Sequence, residues 1–380
     1  MIFSPAAHGG VAEHTFYQAN ALNKAGAVVI VLVPPAFLNG RETRFEKVVC
    51  LMNPVPAGGR GIVRKMKLAW RIIANHWVLA WQIIKQRPDL VLLDSYVEYL
   101  SPFWVWPHWF LARLCGVKYA ANLHDPVRNY IVGPEWWHRF SVRLAYLPLD
   151  FVIVHDELAE SAAVPRSMRV VKAPHGLYEI CESVTDLAAI RREWGVRDGQ
   201  KVFLAFGFVR DGKNLDLAIQ ALKSVPEAFL VVAGSMASGK DKPLAFYRQL
   251  AANLGVADRC RFFEGYVADA ELGKYFAGTD FVLLTYASSF HSQSGVLNLA
   301  ARARKAVLAS ASPSPLTESV RKFNLGVAVE PDSMEAMARG MCCLVSAYPQ
   351  ARWDDYEATA SWTVNARSVC EAAGLLVNDA

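Results

Sequence analysis

The chain has 380 residues, of which 53% are hydrophobic and 20% charged, with a net charge of +5. A chain of this length outgrows a single core, so two domains are expected. The mild basic excess excludes a nucleic-acid-binding tail and suits an anionic substrate or a membrane surface. Seven cysteines, an odd number with no C-x-x-C spacing, exclude a disulfide framework and a cysteine-based zinc site. They lead us to expect buried thiols in a reducing compartment. The opening residues lack a secretory pattern, which points to a cytoplasmic chain. The greasiest run, residues 100–117, is interrupted by Pro102, Pro107, His108 and Arg113 and is not expected to span a bilayer.

In chain order, a short first strand leads into SPAAHGGVAEH, where Gly9 and Gly10 precede a helix expected from about Val11. Paired glycines let backbone approach a ligand, and a helix N-terminus favours an anion. Residues 13–25 and 63–86 read as helices. Residues 28–33, 89–94, 118–125 and 150–156 read as buried strands, because their apolar runs are nearly continuous, as in parallel sheets covered on both faces. After APHG (173–176) the pattern restarts with KVFLAFG, AFLVVAG, CRFFEGYV, DFVLLTY and KAVLAS as five further strands, each separated from the next by a helix. The expected class is α/β, with domains at 1–174 and 175–352 and a helical tail over 353–380. Two such domains in tandem are expected to face across a cleft lined by strand C-termini, where open parallel sheets bind ligands.

Unusual residues fall at those strand ends. His124, Asp125 and Pro126 close one strand, and a histidine there can donate a hydrogen bond or shuttle a proton. FGFVRDGKN places Arg210 and Lys213 after the turn at Gly207, with Asn214 or Asp216 as the cap of the next helix. Two cations beside a glycine turn make a metal-free phosphate clamp. In FHSQSGVLNLA, Ser294, Gly295 and Val296 are set to point backbone N–H groups at a phosphate. Residues 61–86 carry an apolar stripe through Met66, Trp70, Ile73, Trp77, Trp81 and Ile84, with Arg64, Lys65, Lys67, Arg71 and Lys85 among them. Such a stripe reads first as an ordinary core face, and secondarily as an interfacial helix for anionic lipid.

The segments GGVAEHTFYQANALNKAG, NLHDP, APHG, FGFVRDGKNLDLAIQAL, VVAGS, FFEGYVADAELGKYFAGTDFVLLTY and SGVLNLAARARKAVLAS, in this order, resemble the retaining GT-B enzymes of glycosyltransferase family 4. The resemblance implies two Rossmann-like domains, a nucleotide sugar as donor, and no metal or other cofactor. It implies that Gly9 and Gly10 touch the diphosphate side of the donor and the acceptor mouth, and that His124 contacts the transferred sugar. Arg210 and Lys213 would neutralise the leaving diphosphate, with Gly207 at the turn. Gly265, Tyr266 and Val267 would lie near the base, and Ser294, Gly295 and Val296 would offer amides to the diphosphate. The tail helix containing Trp362 would return to the first domain. Retention would follow an internal-return route.

The chain departs from the family in lacking any glutamate from residue 272 to 317, where members carry a pair. It resembles a subset with a QSGV loop. Ungapped alignment puts His291 and Leu299 at the paired positions, with His291 and Asn298 as replacement sugar contacts. The acceptor is expected to be a glycan or a lipid-linked molecule delivered at an anionic membrane surface, in polysaccharide or glycolipid synthesis, with no nucleic-acid partner. The alternatives are a sugar-nucleotide epimerase of the same fold or a degenerate, non-catalytic sugar-nucleotide binder.

Overall fold

The computed structural model describes the chain except residues 38–40, 54–60, 95–96, 125–130, 132, 156–163, 181–185, 237–240 and 376–380. It divides into two compact units, Met1–Gly176 with Ser361–Ala380, and Leu177–Ala360. The tail thus returns at Ser361, later than the expected 353, because α12 (Trp353–Thr359) belongs to the second unit and α13 (Trp362–Ala373) to the first. The single tail helix expected from sequence is two helices. Ser361 caps the second one, its hydroxyl accepting from the Val364 amide.

The first unit holds β1 (Ile2–Phe3), α1 (Gly10–Lys24), β2 (Ile30–Val33), β3 (Glu46–Val49), α2 (Gly61–Gln86), β4 (Leu90–Leu93), α3 (Val105–Leu114), β5 (Lys118–Asn122), α4 (Glu135–Ala145), β6 (Phe151–Val154) and β7 (Arg169–Lys172). Its sheet runs β3-β2-β1-β4-β5-β6-β7, and every pairing is parallel. The central strands β4 and β6 are buried at every position, which explains their unbroken apolar sequence. Sequence reading missed β3 and β7. They are the edge strands, mostly exposed, and each carries charge, so neither shows a continuous apolar run.

The second unit holds α5 (Leu187–Trp194), β8 (Lys201–Phe206), α6 (Leu215–Ala221), β9 (Ala228–Gly234), α7 (Leu244–Asn253), β10 (Cys260–Glu264), α8 (Asp269–Ala277), β11 (Phe281–Leu284), α9 (Gly295–Arg302), β12 (Ala306–Ser310), α10 (Pro315–Lys322), β13 (Gly326–Val329) and α11 (Met334–Ser346), followed by α12. Its sheet is also all parallel, in the order β10-β9-β8-β11-β12-β13. The strand order reverses at β8 and β11, the switch point where such sheets bind ligands. The sixth strand, β13, was missed because GVAV is short and only half-buried.

Of the cysteines expected to be buried, Cys260 and Cys370 are, Cys50 is half-buried, and Cys115, Cys342 and Cys343 are exposed. All six are free thiols, and Cys181 lies outside the described residues.

Candidate functional site

In the second unit, the loops after β8 and β11 come together. Gly207 ends β8 with φ 84°, a left-handed backbone that only glycine takes without strain. Gly234, at the end of β9, holds the same turn close, since a Cβ there would stand 1.9 Å from the Gly207 carbonyl oxygen. Beyond the turn, a 3₁₀ turn over Asp211–Lys213 brings Lys213 back, and its Nζ donates to the Phe206 carbonyl at 2.5 Å. Arg210 is exposed and lies 5.9 Å from the ring of Tyr286. Burial, then the neighbouring Arg210 charge, pushes the Lys213 ammonium down to about 7.

The carboxylates of this loop are engaged elsewhere. Asp211 accepts from the Lys242 amide and the Tyr247 hydroxyl. Asp332 accepts from the Asn214 side chain and the Ser288 amide. Asn214 therefore caps no helix with its side chain, against the expectation. It is spent in tying the Lys213 loop to Asp332 and so to the loop after β11. Among the described residues, neither cation is paired with an acid, an arrangement that favours an anion.

The helix α9 opens beside them. Gly295 and Val296 are its first two residues, and N–H groups at these positions have no partner within a helix. The Val296 side chain lies 4.0 Å from where a Gly207 Cβ would stand, which puts the helix start beside the glycine turn. Ser294 departs from its expected role, because its amide donates to the Gln293 side chain at 3.0 Å and its hydroxyl pairs with the Tyr286 hydroxyl at 2.8 Å. Tyr286 in turn stacks on Phe290 with centroids 4.0 Å apart. Gly265, Tyr266 and Val267 follow β10. Gly265, at φ 136°, donates its amide to the Gly234 carbonyl, and Tyr266 is 59% exposed.

In the first unit, Gly9 caps α1 at φ 85°, and the space about Gly10 is open. One turn on, His14 reaches a buried polar cluster at the C-terminal ends of β4 to β7. Asp94, fully buried after β4, accepts from His14 Nδ1 at 2.9 Å, His124 Nε2 at 3.2 Å, Asn122 Nδ2 at 2.6 Å and the Thr15 hydroxyl. Burial works to raise the Asp94 pKa, but His14 and His124 outweigh it and hold the carboxyl well below its ordinary value. His155 and His175 complete the cluster, both pushed down by burial and by neighbouring imidazoles, His175 to about 3. Asp125 and Pro126, singled out with His124, lie outside the described residues.

Residues 186–356, all in the second unit, match the family model described as Glycosyl transferases group 1. The second unit is a group 1 glycosyltransferase domain. The chain is also similar to a D-inositol 3-phosphate glycosyltransferase of Mycobacteroides abscessus, at 28% identity over 200 residues, 51% of this chain and 44% of that protein. The alignment thus spans less than half the length of that relative. Among solved structures, a glycosyltransferase from Rickettsia africae matches 98% of this chain and 96% of its own at TM-score 0.71 and 16% identity. HepE of Anabaena, solved with UDP and glucose, matches 98% of this chain and 99% of its own at TM-score 0.69 and 18% identity. Both are GT-B neighbours, and the two parallel-sheet α/β units have that fold.

Within the glycosyltransferase domain, the structure gathers Gly207, Arg210, Lys213, Ser294, Gly295 and Val296, and corrects one of the two proposed sugar contacts. Asn298 is fully buried on the inner face of α9, where its Oδ1 accepts from the Tyr356 hydroxyl at 2.8 Å. It ties α9 to α12 and is removed from the candidate site. His291 lies in the loop before α9 with Nδ1 on the Pro313 carbonyl at 2.9 Å. Two aromatic residues were missed. Tyr286 braces both Arg210 and Ser294, and Tyr178 comes within 3.4 Å of where a Gly295 Cβ would stand. In the first unit, Asp94, His14, His155 and His175 were missed as a group. Asp94 and His155 are the first polar residues after the buried strands β4 and β6, and that position was the signal available for them.

Proposed function

We propose that this chain transfers a glycosyl group from a nucleoside diphosphate sugar to a glycan or lipid-linked acceptor. The single observation that carries the reading is Lys213 and Arg210, with no paired carboxylate among the described residues, beside the N-terminus of α9. As the bond from the sugar C1 to the diphosphate oxygen breaks, charge builds on the diphosphate. Two cations and preorganised helix amides stabilise that charge electrostatically. The acceptor oxygen bonds to C1, and its proton passes to the leaving diphosphate, which gives retention with no metal required at the diphosphate. Gly265 to Val267 face the base, His291 is the remaining candidate for a sugar contact in the glutamate-free loop, and His124 and the Gly9–Gly10 turn of the first unit serve the sugar and the acceptor mouth. The HepE complex with UDP and glucose makes UDP-sugars the first donors to try.

Donor turnover tests this. UDP-, GDP-, ADP- and dTDP-sugars are screened by thermal shift, since a ligand of the folded state raises its melting temperature. Hydrolysis and transfer of the stabilising donor are then measured in the wild type and in Lys213→Met. The expected result is a loss of about 10²–10³-fold in kcat/KM in the variant, the range for removing one preorganised charge-stabilising group. No turnover of any sugar nucleotide by the wild type would leave only the reading of a non-catalytic binder. Isomerisation of the donor without acceptor would favour an epimerase.

The lipid-linked form of the acceptor is supported by α2. The core reading of its stripe does not hold. Met66, Trp70, Trp77, Trp81 and Ile84 are 55–66% exposed, while Ile72, Leu79, Ala80 and Ile83 face the core. Trp106, Phe110 and Trp136 of the neighbouring helices are exposed as well. No helix among the described residues is long and apolar enough to cross a membrane. The arrangement suits a peripheral contact with an anionic surface on the cytoplasmic side.

A further inference from the structure

Two residues beside the Lys213 loop hold an unusual backbone. Asn214, directly after Lys213, has φ 52°, and Asp332, in the turn between β13 and α11, has φ 57°. Residues other than glycine seldom take this left-handed region, and where they do the surroundings must hold them there. These two hold each other, Asn214 Nδ2 donating to Asp332 Oδ1 at 2.8 Å. The other carboxylate oxygen, Oδ2, accepts from the Ser288 amide at 2.9 Å. Asp332 thus bridges the loop after β8 and the loop after β11. Partial burial works to raise its pKa, but the bonds from Ser288 and Asn214 outweigh it and hold the carboxyl below its ordinary value.

Two further bonds run beside the bridge. The Ala287 amide donates to the Gly212 carbonyl at 2.9 Å, and the Thr285 hydroxyl to the Lys213 carbonyl at 3.3 Å. Gly212, Lys213 and Asn214 are therefore fastened in succession to residues 285–288, which lead through His291 into α9. The bend at Asn214 also sets where Lys213 points, because it turns the chain from the 3₁₀ turn of Asp211–Lys213 into α6. With the bend held, Lys213 Nζ lies 3.6 Å, and the Val296 side chain 4.0 Å, from where a Gly207 Cβ would stand. Arg210 is the charge that faces Lys213, while Asp211 is engaged with the Lys242 amide and the Tyr247 hydroxyl. We propose that Asp332, acting through Asn214 and Ser288, is the positioning residue that holds the Lys213 ammonium at the start of α9. This role rests on the glycosyl-transfer reading of the site. It supplies the preorganisation that electrostatic stabilisation of a diphosphate requires, since a fixed ammonium need not be gathered in when the anion arrives.

Glycine takes the left-handed backbone without strain, so Asn214→Gly and Asp332→Gly remove the bond and permit the bend. The full-length wild type, both single variants and the double variant are compared. Melting temperatures are expected to stay within a few degrees of one another. Acetylation of Lys213 by acetic anhydride is followed against pH by peptide mass spectrometry, with no ligand present. The wild-type midpoint is expected at about 7, and that of each single variant at least about 1 pH unit higher, because a released ammonium regains water. UDP affinity, measured by calorimetry, is expected to fall about 10-fold or more in each single variant, the scale of a hydrogen bond to a charged group. The double variant is expected to match Asp332→Gly, since groups that act through one bond are not additive. A midpoint near that of the wild type in both single variants, with or without a lowered melting temperature, or additive losses in the double variant, would overturn the proposal. A wild type that binds no UDP would sink the UDP-sugar reading, and the Lys213 midpoints would still decide the role of Asp332.

Discussion

Lys213 shows how a single residue can store the tendency to bind an anion. Its ammonium is enclosed, sits near a second cation and, among the described residues, has only the Phe206 carbonyl to donate to. The charged form is therefore disfavoured in the folded state and favoured again when a diphosphate arrives. The sign follows from linkage. The unfolded lysine keeps its proton up to its ordinary pKa of 10.5, and the folded one loses it at about 7. Stability from this group is thus present above the unfolded pKa and lost as pH falls through the folded one. Binding of UDP should draw a proton onto Lys213 at pH values above about 7. Calorimetry at pH 8 in two buffers of different ionisation enthalpy should show uptake approaching one proton in the wild type and none in Lys213→Met. Identical heats in both buffers would exclude this account. Asn298 carries the opposite lesson. Its type and spacing suited a sugar contact, but α9 turns it inward onto Tyr356, and only packing reveals which way a helix faces.

At the scale of elements, α2 and α9 were both legible as helices, and both hid their orientation. The stripe on α2 has helical spacing whether it faces a core or a lipid surface, because periodicity reports an apolar face and not what covers it. Here the opposite face, through Ile72, Asn75, His76, Leu79 and Ile83, takes the core, and the tryptophans remain outside. Trp70→Ser, Trp77→Ser and Trp81→Ser combined should abolish flotation with phosphatidylserine vesicles and leave the melting temperature within a few degrees, since exposed substitutions cost within about 0.5 kcal/mol each. Wild-type flotation should fall with salt, because Arg64, Lys65 and Lys67 on the same helix are exposed. A wild type that does not float, or a triple variant that floats as well, would sink the membrane reading.

At the scale of the whole molecule, the chain closes the first unit with its last helix. Ala366, Val369, Cys370 and Ala373 of α13 join the core beneath α1. Asn365 accepts from Gln18 at 2.9 Å and donates to the Pro174 carbonyl at 2.9 Å. Trp362 packs where a Cβ on Gly176 would stand 2.3 Å from its ring, so the glycine of APHG serves the tail. A chain ended at Ala360 should therefore lose amide-exchange protection in α1 and β7 and retain it in β8, β9 and β11. Unchanged protection in α1 would refute this. By itself, the sequence determined the doubly wound class, the central strands, the Arg210–Lys213 loop and the glutamate-free α9 loop. Buried parallel strands need unbroken apolar runs, and ligand loops must follow them. Tertiary structure alone decided the edge strands, the outward face of α2, the inward turn of Asn298 and the gathering of His14, Asp94, His124 and His155. Those residues lie far apart along the chain, and only the parallel sheet brings the ends of its strands to one place.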